Sequence, residues 1–141
     1  MIVLDTNVIS EADKPRPSDH VIRWLAEQDS LELYLCGPVV MEQTCGAERF
    51  FARTGSDRHF KTLHNLLTDR FLNRILEFDG STPAVAGKLR ARRDSLGRPM
   101  SVQDAMIAAI CLVNGAVLAT RNIRDFQGIE LKLINPFEAG I

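Results

Sequence analysis

No stretch of this sequence approaches the roughly 18 consecutive apolar residues of a membrane span, and its start lacks a basic region followed by a long apolar run. A soluble, cytoplasmic protein with no membrane partner is expected. Cysteine is scarce: Cys36, Cys45 and Cys111 are odd in number and form no C-x-x-C pair, which argues against a disulfide framework. They read as small core residues of a reduced protein. His20, His59 and His64 pair neither with one another nor with cysteine at ligand spacing, so nothing suggests zinc. Neither sign of charge dominates: 17 Lys and Arg face 18 Asp and Glu, a net charge of -1 and a pI near 6.3. That balance argues against gripping nucleic acid through an overall basic surface and leaves room only for local basic patches. Repeats, low-complexity tracts and linkers are also lacking, and 141 residues with 45% hydrophobic content fit one domain, 1–141, with a full core.

What is present alternates between strand and helix. Ile2, Val3 and Leu4 form a continuous apolar run, the pattern of a short strand buried on both faces. A helical turn through Val8 and Ile9 stops before Lys14, where Pro15 and Pro17 break it. Ser18 or Asp19 opens a helix with Val21, Ile22, Trp24 and Leu25 on one side, and Leu31 to Cys36 reads as the second strand. Pro38 suits the first turn of a long helix from Val39 to Arg53. Asp57 to Asn73 repeats apolar residues at helical spacing, which pairs it with the preceding helix as a hairpin. Ile75 to Phe78 is a third short strand, and Ser81 or Thr82 caps a helix to Leu96 with Gly97 just past its end. Ser101 and Asp104 have the form of a capping box opening a helix through Val113. Ala116 to Thr120 is then a buried strand, and Glu130 to Ile134 a last one at or near an edge. This order predicts a three-layer α/β/α sandwich around a mostly parallel sheet with right-handed crossovers.

Four acids stand at element ends or in apolar surroundings: Asp5, Glu42, Asp104 and Asp125. Asp5 follows the first strand, where an open α/β sheet binds ligands, and it equally suits a helix cap. Asp104 shares a helix face with Ile107, Ala108 and Cys111, and as the third helical residue it equally suits the capping box. Glu42, in an early helical turn, is ordinarily a solvated residue favoured by the dipole. Asp125 is either a site acid or a loop acid paired with Arg121 or Arg124. If these carboxylates converge, their repulsion calls for a cation or for protons. An all-oxygen donor set selects hard ions such as Mg²⁺ or Mn²⁺, and such a site suits phosphodiester hydrolysis. A phosphatase or receiver-like domain with Asp5 as phosphoryl acceptor is less favoured, because position 7 is Asn where such a site wants a second Asp.

Asp5-Thr-Asn7 after an apolar strand, Glu42 in Val-x-x-Glu, Asp104 in Asp-Ala-x-Ile-Ala-Ala and Ala119-Thr-Arg-Asn-x-x-Asp-Phe126 resemble the PIN domain. The likeness is greatest to VapC-type toxins of type II toxin–antitoxin pairs and, through Asp5 to Glu11 and the central helices, to their FitB-like branch. The resemblance implies a Mg²⁺-dependent endoribonuclease, with Mn²⁺ as a second usable ion, acting on RNA. It also implies inhibition by a VapB-like antitoxin, promoter DNA binding through that complex, and homodimers. Asp5, Glu42 and Asp104 match the family's metal-site acids, and Thr6, Asn7 and Thr120 match polar residues that shape the site. The fourth position is Asn122 or Asp125. Arg90, Arg93, Arg98 and Arg121 are candidates for RNA or antitoxin contact, positioning phosphate without reading sequence. A module of the same fold that binds RNA or antitoxin with weak or no turnover is the alternative, prompted by Asn122 in place of an acid.

Overall fold

The apolar run Ile2–Leu4 is strand β1 and lies at the middle of the sheet. The structure, a computed structural model, describes residues 1–138. In chain order the elements are β1, α1 (Thr6–Ala12), α2 (Asp19–Glu27), β2 (Leu33–Cys36), α3 (Gly37–Thr54) and α4 (Arg58–Asn65). They continue as β3 (Ile75–Leu76), α5 (Thr82–Ser95), α6 (Val102–Asn114), β4 (Val117–Ala119) and β5 (Leu133–Ile134). The strand order is β3-β2-β1-β4-β5, with every pair parallel. In register, Ile2 pairs with Leu33 on one side, and Leu4 with Ala119 on the other. This is the expected α/β/α sandwich. Right-handed crossovers put α1 to α4 on the face passed while the chain steps outward to β3, and α5 and α6 on the face passed on the way back to β4. The order therefore reverses between β1 and β4. In such sheets that switch point leaves a crevice outside the carboxyl ends of the two strands, where ligands bind.

Val3, Leu35, Ile107, Ile110 and Leu118 are almost wholly removed from water and join both layers to the sheet. Helix α6 is buried along most of its length and stops at Gly115, whose φ of 64° only glycine adopts readily. There the Ala116 N–H reaches back to the Cys111 carbonyl at 2.8 Å, and the chain turns straight into β4.

Several boundaries differ from the sequence reading. The second strand starts at Leu33, because the Asp29 carboxylate accepts the Leu31 N–H at 3.0 Å and folds Ser30–Glu32 into a 3₁₀ turn. The helix expected over Asp57–Asn73 stops at Asn65 and widens into a π turn, Leu66–Arg70. This turn buries both Leu66 and Phe71. The third strand holds two residues of the four expected, and the last strand is only Leu133–Ile134. Cys36 and Cys111 are core residues as expected, with burial pushing the Cys36 thiol up to about 12, but Cys45 is exposed on α3. Among the described residues, no helix is long and apolar enough to cross a membrane.

Candidate active site

Asp5 leaves β1 with its N–H still in the ladder, bonded to the Ala119 carbonyl at 2.9 Å, and caps α1. Its Oδ1 accepts the Thr6 N–H at 2.8 Å. Its Oδ2 accepts the Thr120 hydroxyl at 2.8 Å and the Asn7 amide at 3.3 Å. Thr120, fully buried at the end of β4, in turn accepts the Asn122 N–H at 3.0 Å, while Asn7 Oδ1 accepts the Arg121 N–H at 3.1 Å. The ends of β1 and β4 are thus laced together around one carboxylate. Burial pushes that carboxyl above the usual range. The Thr120, Thr6 and Asn7 donors pull it down, the Glu42 charge adds to the rise, and burial wins.

Glu42 lies in the second turn of α3 and is exposed. Its Oε2 accepts both the Thr6 hydroxyl at 2.5 Å and the Gln103 amide at 2.7 Å, so α1, α3 and α6 meet at one oxygen. Oε1 accepts no hydrogen bond among the described residues. Asp104 is half-buried in the first turn of α6, where its N–H is capped by Ser101 Oγ at 3.0 Å. Its carboxyl is also raised. Burial is the main cause, partly offset by the Ser101 hydroxyl, and the charges of Asp125, Asp5 and Glu42 all push the same way. The acid thus senses the other three. Asp125 is exposed on a 3₁₀ turn, Ile123–Phe126, and among the described residues forms no ion pair with Arg121 or Arg124.

The four acids ring the crevice without meeting at a point: among the described residues, no three His, Cys, Asp or Glu side chains are placed to hold an ion as they stand. Their donor chemistry nonetheless suits a hard cation, being all oxygen, with unclaimed lone pairs on Glu42 Oε1 and a buried carboxylate in need of a counter-charge.

The basic residues separate. Arg90, Arg98 and Arg121 are exposed: Arg98 reaches Gln127 Oε1 at 3.3 Å, and the Arg121 guanidinium lies 4.8 Å from the Phe137 ring centroid. Arg93, expected as a contact for RNA or antitoxin, is instead 4% exposed. Its guanidinium donates to the carbonyls of Arg98, Asp125 and Gln127 at 2.8 to 2.9 Å. It anchors the loop that carries Asp125.

Two polar residues escaped the sequence reading. Gln103 ties Glu42 to α6, and the signal was its place beside Asp104 in the first turn of an otherwise apolar helix. Glu11 is buried on α1. It accepts Lys14 Nζ at 3.0 Å and the Ser18 N–H at 3.2 Å, closing the loop before α2, and Lys14 holds its carboxyl below the usual range.

A family model described as PIN domain matches residues 2–130. The plasmid stability protein StbB of Pseudomonas syringae pv. tomato is 37% identical over 139 residues, covering 99% of this chain and 100% of the relative. The VapC ribonuclease Y4jK of Sinorhizobium fredii is 33% identical over 138 residues, covering 98% and 99%. Among solved structures, FitAB bound to an IR36 DNA fragment superposes with a TM-score of 0.90 at 27% identity, covering 100% of this chain and 99% of that one.

Proposed function

The chain belongs to the PIN domain family, and on that premise we propose that it is a Mg²⁺-dependent endoribonuclease, the toxin of a type II toxin–antitoxin pair. It works in the cytoplasm as a single domain over residues 1–141. The observation that carries this reading is the buried Asp5, fixed by Thr120 and Asn7 at the switch point, with Glu42, Asp104 and Asp125 around the same crevice. Asp5, Glu42 and Asp104 would hold Mg²⁺ or Mn²⁺. Asp125 is favoured over Asn122 as the fourth group, because it carries a charge that acts on Asp104. When bound, the ion supplies a nucleophilic water at neutral pH and offsets charge growing on the phosphate. The protein's own part is orientation. Thr120 and Asn7 fix the Asp5 carboxylate, Thr6 and Gln103 fix Glu42, and the exposed Arg90, Arg98 and Arg121 are placed to meet phosphates or an inhibiting antitoxin.

An antitoxin partner and promoter binding through their complex belong to the same reading, which is supported by a relative named as the toxin FitB and by the FitAB complex bound to a DNA fragment. A homodimer completes the reading.

Purified protein is expected to cut structured RNA in Mg²⁺ or Mn²⁺ and to stop in EDTA. RNA binding without cleavage in either ion would favour the non-catalytic module instead. Gln103→Ala should weaken Mn²⁺ binding by roughly tenfold, the scale of losing one group that orients a metal ligand, as read by calorimetry at an unchanged melting temperature. A lower melting temperature with unaltered Mn²⁺ affinity would make Gln103 a fold contact only.

A further inference from the structure

A groove of about 480 Å³ opens beside Thr6 and Glu42 and runs out along α3 to Arg49, Arg53 and His59. Glu42, Arg49 and Arg53 follow one another at i, i+7 and i+11, which sets all three on one face of the helix. At 1.5 Å of rise per residue, the two arginines stand roughly 10 and 16 Å from Glu42 along the axis. Both are exposed, and among the described residues neither forms an ion pair, whereas Lys14 and Lys61 each do. The basic end is also ordered. The guanidinium groups of Arg53 and Arg58 lie 5.6 and 5.5 Å from the Phe50 ring centroid, and the His59 ring meets Phe50 edge-on at 4.4 Å.

Exposed cations with no carboxylate partner among the described residues, lining a concavity beside Glu42, match what the backbone of a single nucleic acid strand requires. The opposite rim of the crevice has its own concavity, lined by Arg121, Asn122, Arg124 and Asp125. A strand crossing the acids would therefore meet arginines on both sides. We propose that the α3 groove is a subsite for single-stranded RNA, in which Arg49 and Arg53 take phosphates flanking the one at the acids. This rests on the nuclease reading for its substrate, and its test can fail separately.

The experiment measures binding of a labelled polyuridylate by fluorescence anisotropy in EDTA, across a salt series, for wild type, Arg49→Ala/Arg53→Ala and the paired Lys variant. The double Ala variant is expected to lose about tenfold in affinity. Its dependence of log affinity on log salt should flatten by roughly 1.4, the share of two single-strand phosphate contacts. The Lys variant should keep the wild-type slope. Failure of wild type to bind, or an unchanged slope in the double Ala variant, would overturn the subsite. Arginine-dependent binding by a wild type that never cleaves in Mg²⁺ would sink the nuclease reading and leave the subsite standing.

Discussion

Asp5→Asn is expected to lose RNA cleavage by roughly 10³-fold, about 4 kcal/mol of transition-state stabilisation, and yet to melt higher than wild type once metal is removed. Both effects have one origin. A buried carboxylate beside other acids is costly unless a cation shares the space, and the amide removes that charge while its oxygen still receives the Thr6 N–H. The gain should be roughly 2–4 °C, what about 1 kcal/mol is worth in a chain of this size. Its pH dependence has a definite sign. Because burial raises the Asp5 carboxyl in the folded protein, its protonated form favours folding, so that contribution is whole at acid pH and lost as pH rises through the folded value. The advantage of Asn therefore grows towards neutral pH and closes in acid. Melting both proteins in EDTA from acid to neutral pH checks this. A variant that melts below wild type at neutral pH would make Asp5 chiefly a helix cap.

The largest loss of stability is expected at Arg93. Arg93→Ala removes the donor to three carbonyls, those of Arg98, Asp125 and Gln127, in a nearly solvent-free setting. Leaving such groups unpaired costs about 3–5 kcal/mol in total, roughly 10–15 °C of melting temperature at this size. Arg93→Lys should rescue little, because one ammonium cannot reproduce a planar fork spanning two loops. The Asp125 turn should loosen with it, so metal-dependent cleavage should fall in the folded fraction as well. Thermal melting of the three proteins settles the point: a drop below 1 kcal/mol for Ala, or full rescue by Lys, would contradict an anchoring role.

The same arginine shows where reading a sequence stops. In the run from Arg90 to Arg93 each basic residue looks like part of a solvated helix face. What singles out Arg93 is a set of carbonyls more than 30 residues further along, brought near by β4. Ile2–Leu4 was legible because a continuous apolar run has few other uses, and α6 because Ser101 and Gly115 mark its two ends with different backbone chemistry. The π turn at Leu66–Arg70 was not, since burying both Leu66 and Phe71 decides it and helical spacing does not. Asp5, Glu42, Asp104 and Asp125 stood out by position, and the structure places them around one crevice. The hydroxyl of Thr120 and the amide of Gln103, which orient two of those acids, are contacts across 115 and 61 residues, and local pattern holds no trace of them.

The register of the sheet also sets the moment at which the crevice can exist. The strand that comes first among the described residues is the central one. Its far side stays open until β4 arrives, when the Ala119 carbonyl takes the Asp5 N–H and Thr120 closes on the carboxylate. Closure across so long a stretch is slow and is deferred until most of the domain is available. Until β4 has paired with β1, Asp5 therefore lacks the Thr120 hydroxyl that fixes its carboxylate.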